Sequence, residues 1–510
     1  MKWLKRTGIV LVIIIIISAI WMITNIRNRH PGYSVDLKID AAETEGPLSA
    51  GFAAFPITPT VVDTWTDANG DARYQPLDGD IFEDGNGNGM FDPVWIAGFH
   101  NRRPANGIHD DLWARVMIID DGQTRLAIVA LDAVGLFHDD VIDIRKMLPP
   151  QLEIDYAIVC STHDHEAPDL LGLWGGGWFK SGVDPNYMAH VKSQSVKAVE
   201  EAAQNLRPAV FRFAQDLTGA APFVEDSRHP IVLDPGVRLI QALDAEVDTT
   251  LGILIAWANH PETMWSRNLL ISSDYPHYVR KFIEEGVGGT AVYINGAIGG
   301  LMTTSPRFAI PDLFEDTTYT SVSFAKARAQ GQQIAAVALN ALRRDGVVEI
   351  DEGGITLRAR TIAVPLHNKI FRLAFALGVL SHGFERWMEM RTEVAAFTLG
   401  PASFMTVPGE IYPEIINGGI EAPPGQDYTL QPMEVPPLRE LMPGRFKFVF
   451  GLANDEIGYI IPKSEWDTDA PYLYNASSSP YGEVNSIGPE TAPIIHREIS
   501  DVMLGLRDKR

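Results

Sequence analysis

Two histidines, His163 and His165, follow a short segment at 154–159 that is apolar or aromatic except for Asp155. Such a segment predicts a buried strand that ends in a loop. Alternate residues of an extended chain face the same side, so the two imidazoles can point together while Asp164 points away. This arrangement suits a pair of metal ligands or an acid/base pair, although a solvated or structural His-x-His pair has the same pattern.

Three further apolar segments lead into side chains of related chemistry. The residues that follow these segments are His260, Glu410 and Tyr459. Two histidines and one carboxylate with an open coordination position form a common catalytic zinc site, in which the ion lowers the pKa of a water to about 7. The residues lie far apart in the sequence, so their convergence is a prediction that spacing alone does not establish.

The composition is that of a folded, acidic protein. The 510 residues are 46% hydrophobic and 21% charged, and the formal net charge is −23. This length indicates one large elaborated domain or two joined ones. A surface of this charge repels phosphate backbones, so nucleic-acid binding is not expected. The single cysteine, Cys160, excludes an intrachain disulfide and is expected to be a core residue.

Residues 1–30 predict a membrane segment. Basic residues precede an apolar run from Gly8 to Ile23, which is about long enough to cross a bilayer. No convincing small-x-small cleavage site follows the run, which favours an uncleaved signal anchor over a removed signal peptide. We therefore expect a single-pass membrane protein with residues 31–46 as a polar tether and the remaining chain on the non-cytoplasmic side.

Residues 47–510 predict an α/β domain of mixed β-sheets with flanking helices, because strand-like segments alternate with helical patterns. Helices are expected at 187–206, 274–285 and 325–344. The apolar segment 368–380 is too short to cross a bilayer. It is expected to form either a core helix or a surface helix that contacts a membrane or gates a lipid site.

The segment 63–93 is dense in Asp, Asn and Gly and is expected to be an insertion. The residues at positions one, three, five and nine of a calcium-binding loop are Asp84, Asn86, Asn88 and Asp92. The glutamate usual at position twelve is replaced by Trp95. The segment therefore predicts either Ca²⁺ binding or a cluster of Asx turns that needs no ion.

Seven short motifs, in the same order, resemble motifs of the neutral/alkaline ceramidases, which are zinc amidases that cleave the N-acyl bond of ceramide. The motifs are AGFAAFPITP, NGIHDDLWARVMIID, STHDHEAP, DSRHP, ANHPETM, VPGEIYPE and GLANDEIGYI. The resemblance covers roughly residues 48 to 490. It implies a ceramidase-like zinc hydrolase domain, here preceded by one transmembrane helix and without the C-terminal immunoglobulin-like domain usual in that family.

The resemblance also implies roles for individual residues. The implied zinc ligands are His163, His260, Glu410 and Tyr459. His165 would act beside the metal as general base and acid, which suits a group that titrates near neutrality. Arg228 would hold the substrate or the developing oxyanion. The candidates for residues that support the ligands are His109, Asp132 and Asp164.

Several family motifs are altered in this chain. The family's Asn-x-Gly-Asp-x-Ser-Pro stretch appears as GAIGGLMTTSP, without the Asp, and Glu166 and Asp169 add carboxylates after the second histidine. We expect a zinc-dependent hydrolase that cleaves the N-acyl amide bond of ceramide or a related lipid amide at a membrane surface. The alternatives are a binuclear metallo-β-lactamase-type hydrolase and a non-catalytic, membrane-tethered protein that binds lipid or glycan.

Overall fold

Two large β-sheets that pack face to face form the centre of the molecule. The computed structural model describes residues 2–177 and 179–507. Within these residues, helices cover the outer face of each sheet, which gives four layers in the order helix, sheet, sheet, helix. The mixed α/β architecture that the sequence predicts is confirmed. Strands and helices are numbered below along the chain.

The larger sheet contains both parallel and antiparallel pairs. In the described chain its strands are β3 (Ser49–Pro56), β6 (Trp113–Asp120), β7 (Arg125–Leu131), β8 (Tyr156–Ser161), β9 (Arg207–Asp216), β11 (Val237–Asp244), β12 (Thr250–Trp257), β13 (Thr290–Asn295) and β17 (Val348–Ile350). Their spatial order is β13-β12-β11-β9-β3-β6-β7-β8, with β17 beside β9. The pairs β7/β8 and β12/β13 are parallel.

The smaller sheet lies on the larger one. Its strands among the described residues are β1 (Asp36–Ile39), β19 (Ile355–Pro365), β20 (Phe384–Arg386), β21 (Glu389–Leu399), β22 (Ala402–Thr406) and β24 (Phe446–Phe450). They are ordered β1-β19-β21-β22-β24, with β20 beside β21, and β22/β24 is a parallel pair. The short strand pairs are β2 (Gly46–Pro47) with β18 (Glu352–Gly353), β4 (Thr64–Thr66) with β5 (Ile81–Glu83), β10 (Glu225–Asp226) with β14 (Met302–Thr303), β15 (Ile310–Pro311) with β16 (Thr318–Tyr319), and β23 (Glu410–Ile411) with β25 (Tyr459–Ile460).

The helices match the predicted segments closely. Over the described residues they are α1 (Lys2–Ile26), α2 (His138–Met147), α3 (Pro185–Gln204), α4 (Asp274–Val287), α5 (Phe324–Ala341), α6 (Lys369–Ala376), α7 (Pro413–Asn417), α8 (Leu438–Leu441), α9 (Tyr481–Val484) and α10 (Thr491–Gly505). Local capping explains the start of α3, where the Asp184 carboxylate accepts from the Asn186 backbone N–H and Pro185 occupies the first helical position. The helices predicted at 187–206, 274–285 and 325–344 correspond to α3, α4 and α5.

Aromatic side chains fill the space between the two sheets. Phe211 of the larger sheet and Phe397, Phe404 and Phe448 of the smaller sheet belong to one buried cluster. The Phe404 ring stacks between those of Phe397 and Phe448, with centroid separations of 4.1 and 4.7 Å. Full burial of such a side chain contributes about 1.5–3 kcal/mol. This stack joins three strands of the smaller sheet, on the face that packs against the larger sheet.

Backbone hydrogen bonds join the two sheets at the carboxyl ends of their parallel strands. The Ser161 N–H at the end of β8 donates to Leu452 O at 3.0 Å, and the Gly451 N–H donates to Asn295 O at 3.0 Å at the end of β13. The loops that follow β8, β12, β22 and β24 therefore meet at one edge of the sandwich. These are the loops that carry the predicted ligands.

Residues 31–46 differ from the polar tether that the sequence predicts. Strand β1 pairs antiparallel with β19 along the edge of the smaller sheet. Val35, Leu37 and Ile39 pack against the core between the sheets. The apolar residues at alternate positions explain the difference, because an edge strand buries one face of the chain and leaves the polar face in water.

The helices α1 and α6 carry the most exposed apolar surface. In α1 the segment Ile9–Ile26 has a mean hydropathy of 2.8 and is long enough to cross a membrane, as a membrane anchor or a signal sequence would be. The segment predicted at 368–380 as either a core or a surface helix forms α6, in which Phe375 is buried and Ile370 is 65% exposed. This helix is therefore a surface helix with one buried edge.

Candidate metal centre

His163 and His260 lie together with the geometry of metal ligands. The Nδ1 atom of His163 is 2.7 Å from Val134 O, and that of His260 is 2.7 Å from Met302 O. A carbonyl oxygen can only accept a hydrogen bond, so each Nδ1 carries the proton and donates it, and in the neutral imidazole Nε2 is the atom that can bind a metal. His163 has a φ of +64°, in the left-handed region, directly after the end of β8. Such a conformation in a non-glycine residue is common at functional sites.

The Glu410 carboxylate meets both histidines. Its Oε2 lies 3.1 Å from His260 Nε2 and 3.5 Å from His163 Nε2. Burial alone would raise the pKa of Glu410, but His163 and then His260 lower it below its ordinary value. The carboxylate is therefore ionised at neutral pH and can serve as an oxygen ligand.

Tyr459 is the strand neighbour of Glu410. The two residues face each other in the parallel pair β23/β25, and their side chains are hydrogen-bonded. Burial and then the Glu410 charge raise the pKa of Tyr459 well above its ordinary value. The phenol is therefore a proton donor to Glu410 in this arrangement. The imidazoles and the carboxylate together form a donor set that is compatible with a metal ion.

His165 completes a cluster of three histidines. Its ring centroid is 4.8 Å from that of His163 and 5.7 Å from that of His260, and candidate ligand atoms of all three residues lie within 4.8 Å of one another. Both ring nitrogens of His165 are buried without a hydrogen-bond partner. Burial and then His163 lower the pKa of His165 well below its ordinary value. A neutral imidazole with a free nitrogen can bind a metal or accept a proton.

Two residues that the sequence analysis missed fix the position of His165. Glu262 Oε2 lies 3.4 Å from His165 Nδ1, within ion-pair range but beyond a standard hydrogen bond. A side chain at Gly98 would place its Cβ only 2.5 Å from the His165 ring. The spacing of Glu262, two residues after His260, is the one local signal that would have indicated it.

Asp132 and Asp164 lie behind the histidine loop. Asp132 pairs with both terminal nitrogens of Arg280 at 2.7 and 2.9 Å and accepts from the Trp113 N–H. Asp164 is fully buried, and its Oδ1 accepts from the Glu166 N–H at 3.0 Å. Burial and then Asp132 raise the pKa of Asp164 well above its ordinary value. Both residues contact the histidine loop, Asp132 at the Thr162 hydroxyl and Asp164 at the Glu166 N–H.

The structure places His109 elsewhere. Its ring stacks on Phe324 with centroids 3.5 Å apart, and its Nδ1 lies 3.0 Å from Asp110 Oδ2. These contacts lie at the start of α5, and the side chain is partly exposed to solvent. The prediction of a supporting role for His109 is therefore not matched by any contact with the histidine cluster. The shared motif gives the position of His109 in the sequence but does not indicate which residues contact it in the folded chain.

Arg228 lies in an outer groove rather than beside the histidines. Its guanidinium donates to the Tyr412 hydroxyl and to Glu483 Oε1, the latter at 2.7 Å. Burial would lower the pKa of Arg228, but Tyr412 and Glu483 raise it overall. The Tyr412 ring meets that of Tyr459 edge-on, with centroids 6.1 Å apart. Arg228 is thus linked to the candidate ligand Tyr459 through Tyr412.

An apolar cavity opens directly onto the histidine cluster. Its apolar walls include Val134, Phe137, Leu171, Phe375, Leu380 and Met390. The cavity shares Trp174 and Phe371 with an outer groove that contains Arg228. Glu456, which the sequence analysis did not single out, lines the cavity, and burial and then Glu410 raise its pKa well above its ordinary value.

The Asp/Asn/Gly-rich segment forms the hairpin β4/β5 and its flanking loops, away from the histidines. The Asp84 carboxylate accepts from the backbone N–H groups of Gly87, Asn88 and Gly89. The side-chain amides of Asn86 and Asn88 donate to Asp92 Oδ2 at 2.8 and 2.7 Å. The four predicted calcium ligands therefore converge, and Ca²⁺ binding stays a prediction.

Known proteins with similar sequences and structures are neutral ceramidases. The chain is 25% identical to the neutral ceramidase of Mycobacterium tuberculosis over 231 residues, which make up 41% of this chain and 36% of that protein. The match thus spans little more than a third of the length of this curated relative. No protein-family model matches the chain.

Two solved structures share the fold. The neutral ceramidase of Pseudomonas aeruginosa superposes with a TM-score of 0.62 at 16% identity, over 91% of this chain and 75% of that chain. A ceramidase complexed with C2 gives a TM-score of 0.62 at 15% identity, over 91% of this chain and 76% of that chain. The chain thus resembles the neutral ceramidases in sequence and has their fold.

Proposed function

We propose that the protein is a zinc-dependent hydrolase that cleaves the N-acyl amide bond of ceramide or a related lipid amide. One observation carries this proposal: His163, His260 and Glu410 converge at the end of an apolar cavity within a neutral ceramidase fold. The apolar walls of the cavity suit an acyl chain. The ionisable groups that line the cavity suit the polar amide attached to that chain.

His163, His260, Glu410 and Tyr459 would hold the metal. When bound there, Zn²⁺ acts as a Lewis acid that makes a water more acidic and polarises the amide carbonyl. The two backbone carbonyls on the Nδ1 atoms fix the histidine tautomers and orientations that such binding requires. Asp132, which is paired with Arg280, would support the same loop through the Thr162 hydroxyl, 3.5 Å from its Oδ1.

His165 would transfer the proton. Its lowered pKa keeps the imidazole neutral at neutral pH, so Nε2 can accept a proton from the attacking water. The new bond joins the water oxygen to the amide carbon, the C–N bond breaks, and Nε2 then gives the proton to the leaving nitrogen. During this step the Glu262 carboxylate, 3.4 Å from Nδ1, stabilises the imidazolium.

Arg228 would contact the head group of the substrate. It lines the outer groove and not the inner cavity, which supports this role over a role at the developing oxyanion. Helix α1 would serve as an uncleaved anchor that holds the hydrolase domain on the non-cytoplasmic side of a membrane. Enzyme and lipid substrate would then share one surface.

The proposal is tested by mass-spectrometric measurement of the fatty acid that the full chain releases from a panel of N-acyl lipids. We expect release from ceramide or another panel lipid, and its loss with a zinc chelator. His163→Ala should abolish both release and bound zinc, because removal of one ligand opens the site. The exposed helix residue His190 provides a matched control, and His190→Ala should retain both.

The outcome also separates the alternatives. Full activity of His163→Ala with zinc retained would refute the ligand assignment. Binding of lipid without any release would instead favour the non-catalytic lipid-binding protein. The similarity of the fold to solved ceramidases favours a ceramidase-type centre over the metallo-β-lactamase-type alternative.

A further inference from the structure

Helix α1 is attached directly to the domain at the mouth of the outer groove. The Asn25 side-chain amide donates to Ala376 O, at the end of α6, at 2.9 Å. Ile26, the last residue of α1, packs against the core on the outer face of the smaller sheet. The apolar segment of α1 thus continues into the domain without a free linker. A membrane that contains α1 must lie close to α6.

The hairpin β20/β21 lies on the same side of the molecule. Asn28 donates to Glu385 Oε2 at 3.1 Å and accepts from Arg391 at 2.8 Å, so the residues just after α1 are fixed to this hairpin. Arg29 adds a hydrogen bond to Ser381 at 2.8 Å. Helix α6, the loop at Ser381 and the β20/β21 hairpin therefore surround the point at which the chain leaves α1.

Two of these elements expose apolar and basic side chains together. In α6, Ile370 is 65% and Leu373 is 49% exposed, and Lys369 beside them is also exposed. At the tip of the hairpin, Trp387 is 73% exposed, and its exposed neighbour Arg386 lies 3.9 Å from the Glu389 carboxylate. Tryptophan, aliphatic and basic residues in this combination are typical of surfaces at the level of lipid head groups. The positive charges are notable in a chain with a net charge of −23.

The same helix borders the path to the histidine cluster. Ile370, Phe371 and Ala374 line the outer groove, and Phe371 and Phe375 line the inner cavity. One edge of α6 thus faces the groove while Leu373 faces outwards.

We propose that α6 and the β20/β21 hairpin form a docking surface that rests on the lipid bilayer holding α1, with the mouth of the groove open at the bilayer surface. The proposal rests on the anchor role of α1 and deepens the proposed function, because a lipid could then enter the cavity without crossing water. Its occupant is the head-group region of a bilayer. The exposed basic residues favour anionic lipids.

The test uses the full chain reconstituted in vesicles of phosphatidylcholine and phosphatidylglycerol, with an environment-sensitive fluorophore on single introduced cysteines. The native Cys160 is buried and does not compete for the label. Docking positions are tested by Leu373→Cys and Trp387→Cys. The negative control is Val247→Cys, which lies outside the proposed docking surface. Val247 is 63% exposed, in the turn between β11 and β12. The positive control in α1 is Ile17→Cys.

We expect blue-shifted emission and quenching by spin-labelled lipid at positions 373, 387 and 17, and neither effect at position 247. Water-like emission at 373 or 387, with position 17 quenched, would overturn the docking surface while leaving the anchor in place. Water-like emission at position 17 would overturn the anchor and the docking surface together. None of these readouts depends on catalysis, so failure of the proposed hydrolase is distinguished by fatty acid release.

Discussion

His165 lies between His163 and the buried Glu262, and this position suits the acid/base role that we propose for it. Burial and then the nearby His163 disfavour the charged imidazole of His165. Glu262 is placed to stabilise the charge once it forms. His165 is therefore neutral at rest and able to hold a proton transiently, which is the property a general base requires.

Glu262→Gln should lower kcat by about 10–100-fold, the usual effect of losing a residue that supports a metal site. The amide keeps the size of the side chain but removes the negative charge that stabilises protonated His165. KM and metal content should change little, and the acidic limb of the kcat/KM profile should move to lower pH. Glu285→Gln, at an exposed residue of α4, is the matched control. Unchanged kcat and an unchanged profile would contradict the role.

A second group of buried acids predicts how stability depends on pH. Burial and then the neighbouring Glu414 raise the pKa of Glu465 to about 10. The folded protein then holds this proton more tightly than the unfolded chain, so the free energy of unfolding falls as pH rises from about 4.5 towards 10. The Glu421 N–H donates to Glu465 Oε1 at 2.7 Å, a bond that a glutamine can also accept.

Glu465→Gln should therefore stabilise the protein relative to wild type more at about pH 8.5 than at about pH 5, because glutamine has no proton to lose. Thermal unfolding of both proteins at the two pH values measures the difference. The exposed Glu246→Gln should show no such dependence. An equal effect of Glu465→Gln at both pH values would show that Glu465 does not titrate in this range.

At the scale of elements, the candidate site residues lie in loops that follow the ends of strands, and each loop contains a short sequence motif. The β4/β5 segment is the clearest separate unit, since its Asp and Asn side chains satisfy one another and the local backbone. The backbone N–H of Gly89, more than the neighbouring amides, lowers the pKa of Asp84. An ionised Asp84 suits both of the predicted alternatives, an ion-free Asx turn and a calcium loop.

If the segment binds Ca²⁺, the ion should raise the melting temperature of the protein. Ligand at 100 times its Kd adds about 2.7 kcal/mol to the free energy of unfolding. Asp92→Asn should reduce the calcium effect, because Asp92 faces both Asn86 and Asn88. Asp78→Asn, at an exposed residue of the same segment, should not. A melting temperature indifferent to Ca²⁺ would favour the cluster of Asx turns.

At the scale of the whole molecule, the geometry of the site depends on how the two sheets pack against each other. His163 and His260 follow strands of the larger sheet, whereas Glu410 and Tyr459 follow strands of the smaller one. The distance between the two pairs is therefore set by packing between the sheets. Phe404 belongs to the cluster between the two sheets and is fully buried.

Phe404→Ala should destabilise the protein by about 3–5 kcal/mol, since it removes a large ring from a close-packed core. Urea unfolding measures the change, and Leu504→Ala, at an exposed position of α10, should cost far less. A loss below about 1 kcal/mol would mean that the sheets are held by other contacts. The zinc content of the folded variant would show whether the four proposed ligands remain together.

The sequence by itself determined which residues are placed at strand ends. The apolar runs before His163, His260 and Glu410 predict strands, because burial of one or both faces imposes a local pattern on the chain. The same logic predicted α3, α4 and α5. The apolar pattern indicates only where these residues lie, whereas the motifs shared with the ceramidases suggest what they do.

Only the tertiary structure decided which of these ends meet. His260 and Glu410 are 150 positions apart, and their contact of 3.1 Å arises from sheet packing that leaves no local signal in the sequence. For the same reason Glu262 was missed as the neighbour of His165, His109 was expected near the site, and β1 was expected to be a tether. Periodicity reports whether a side chain is buried, whereas the identity of its partner is set by contacts between distant segments.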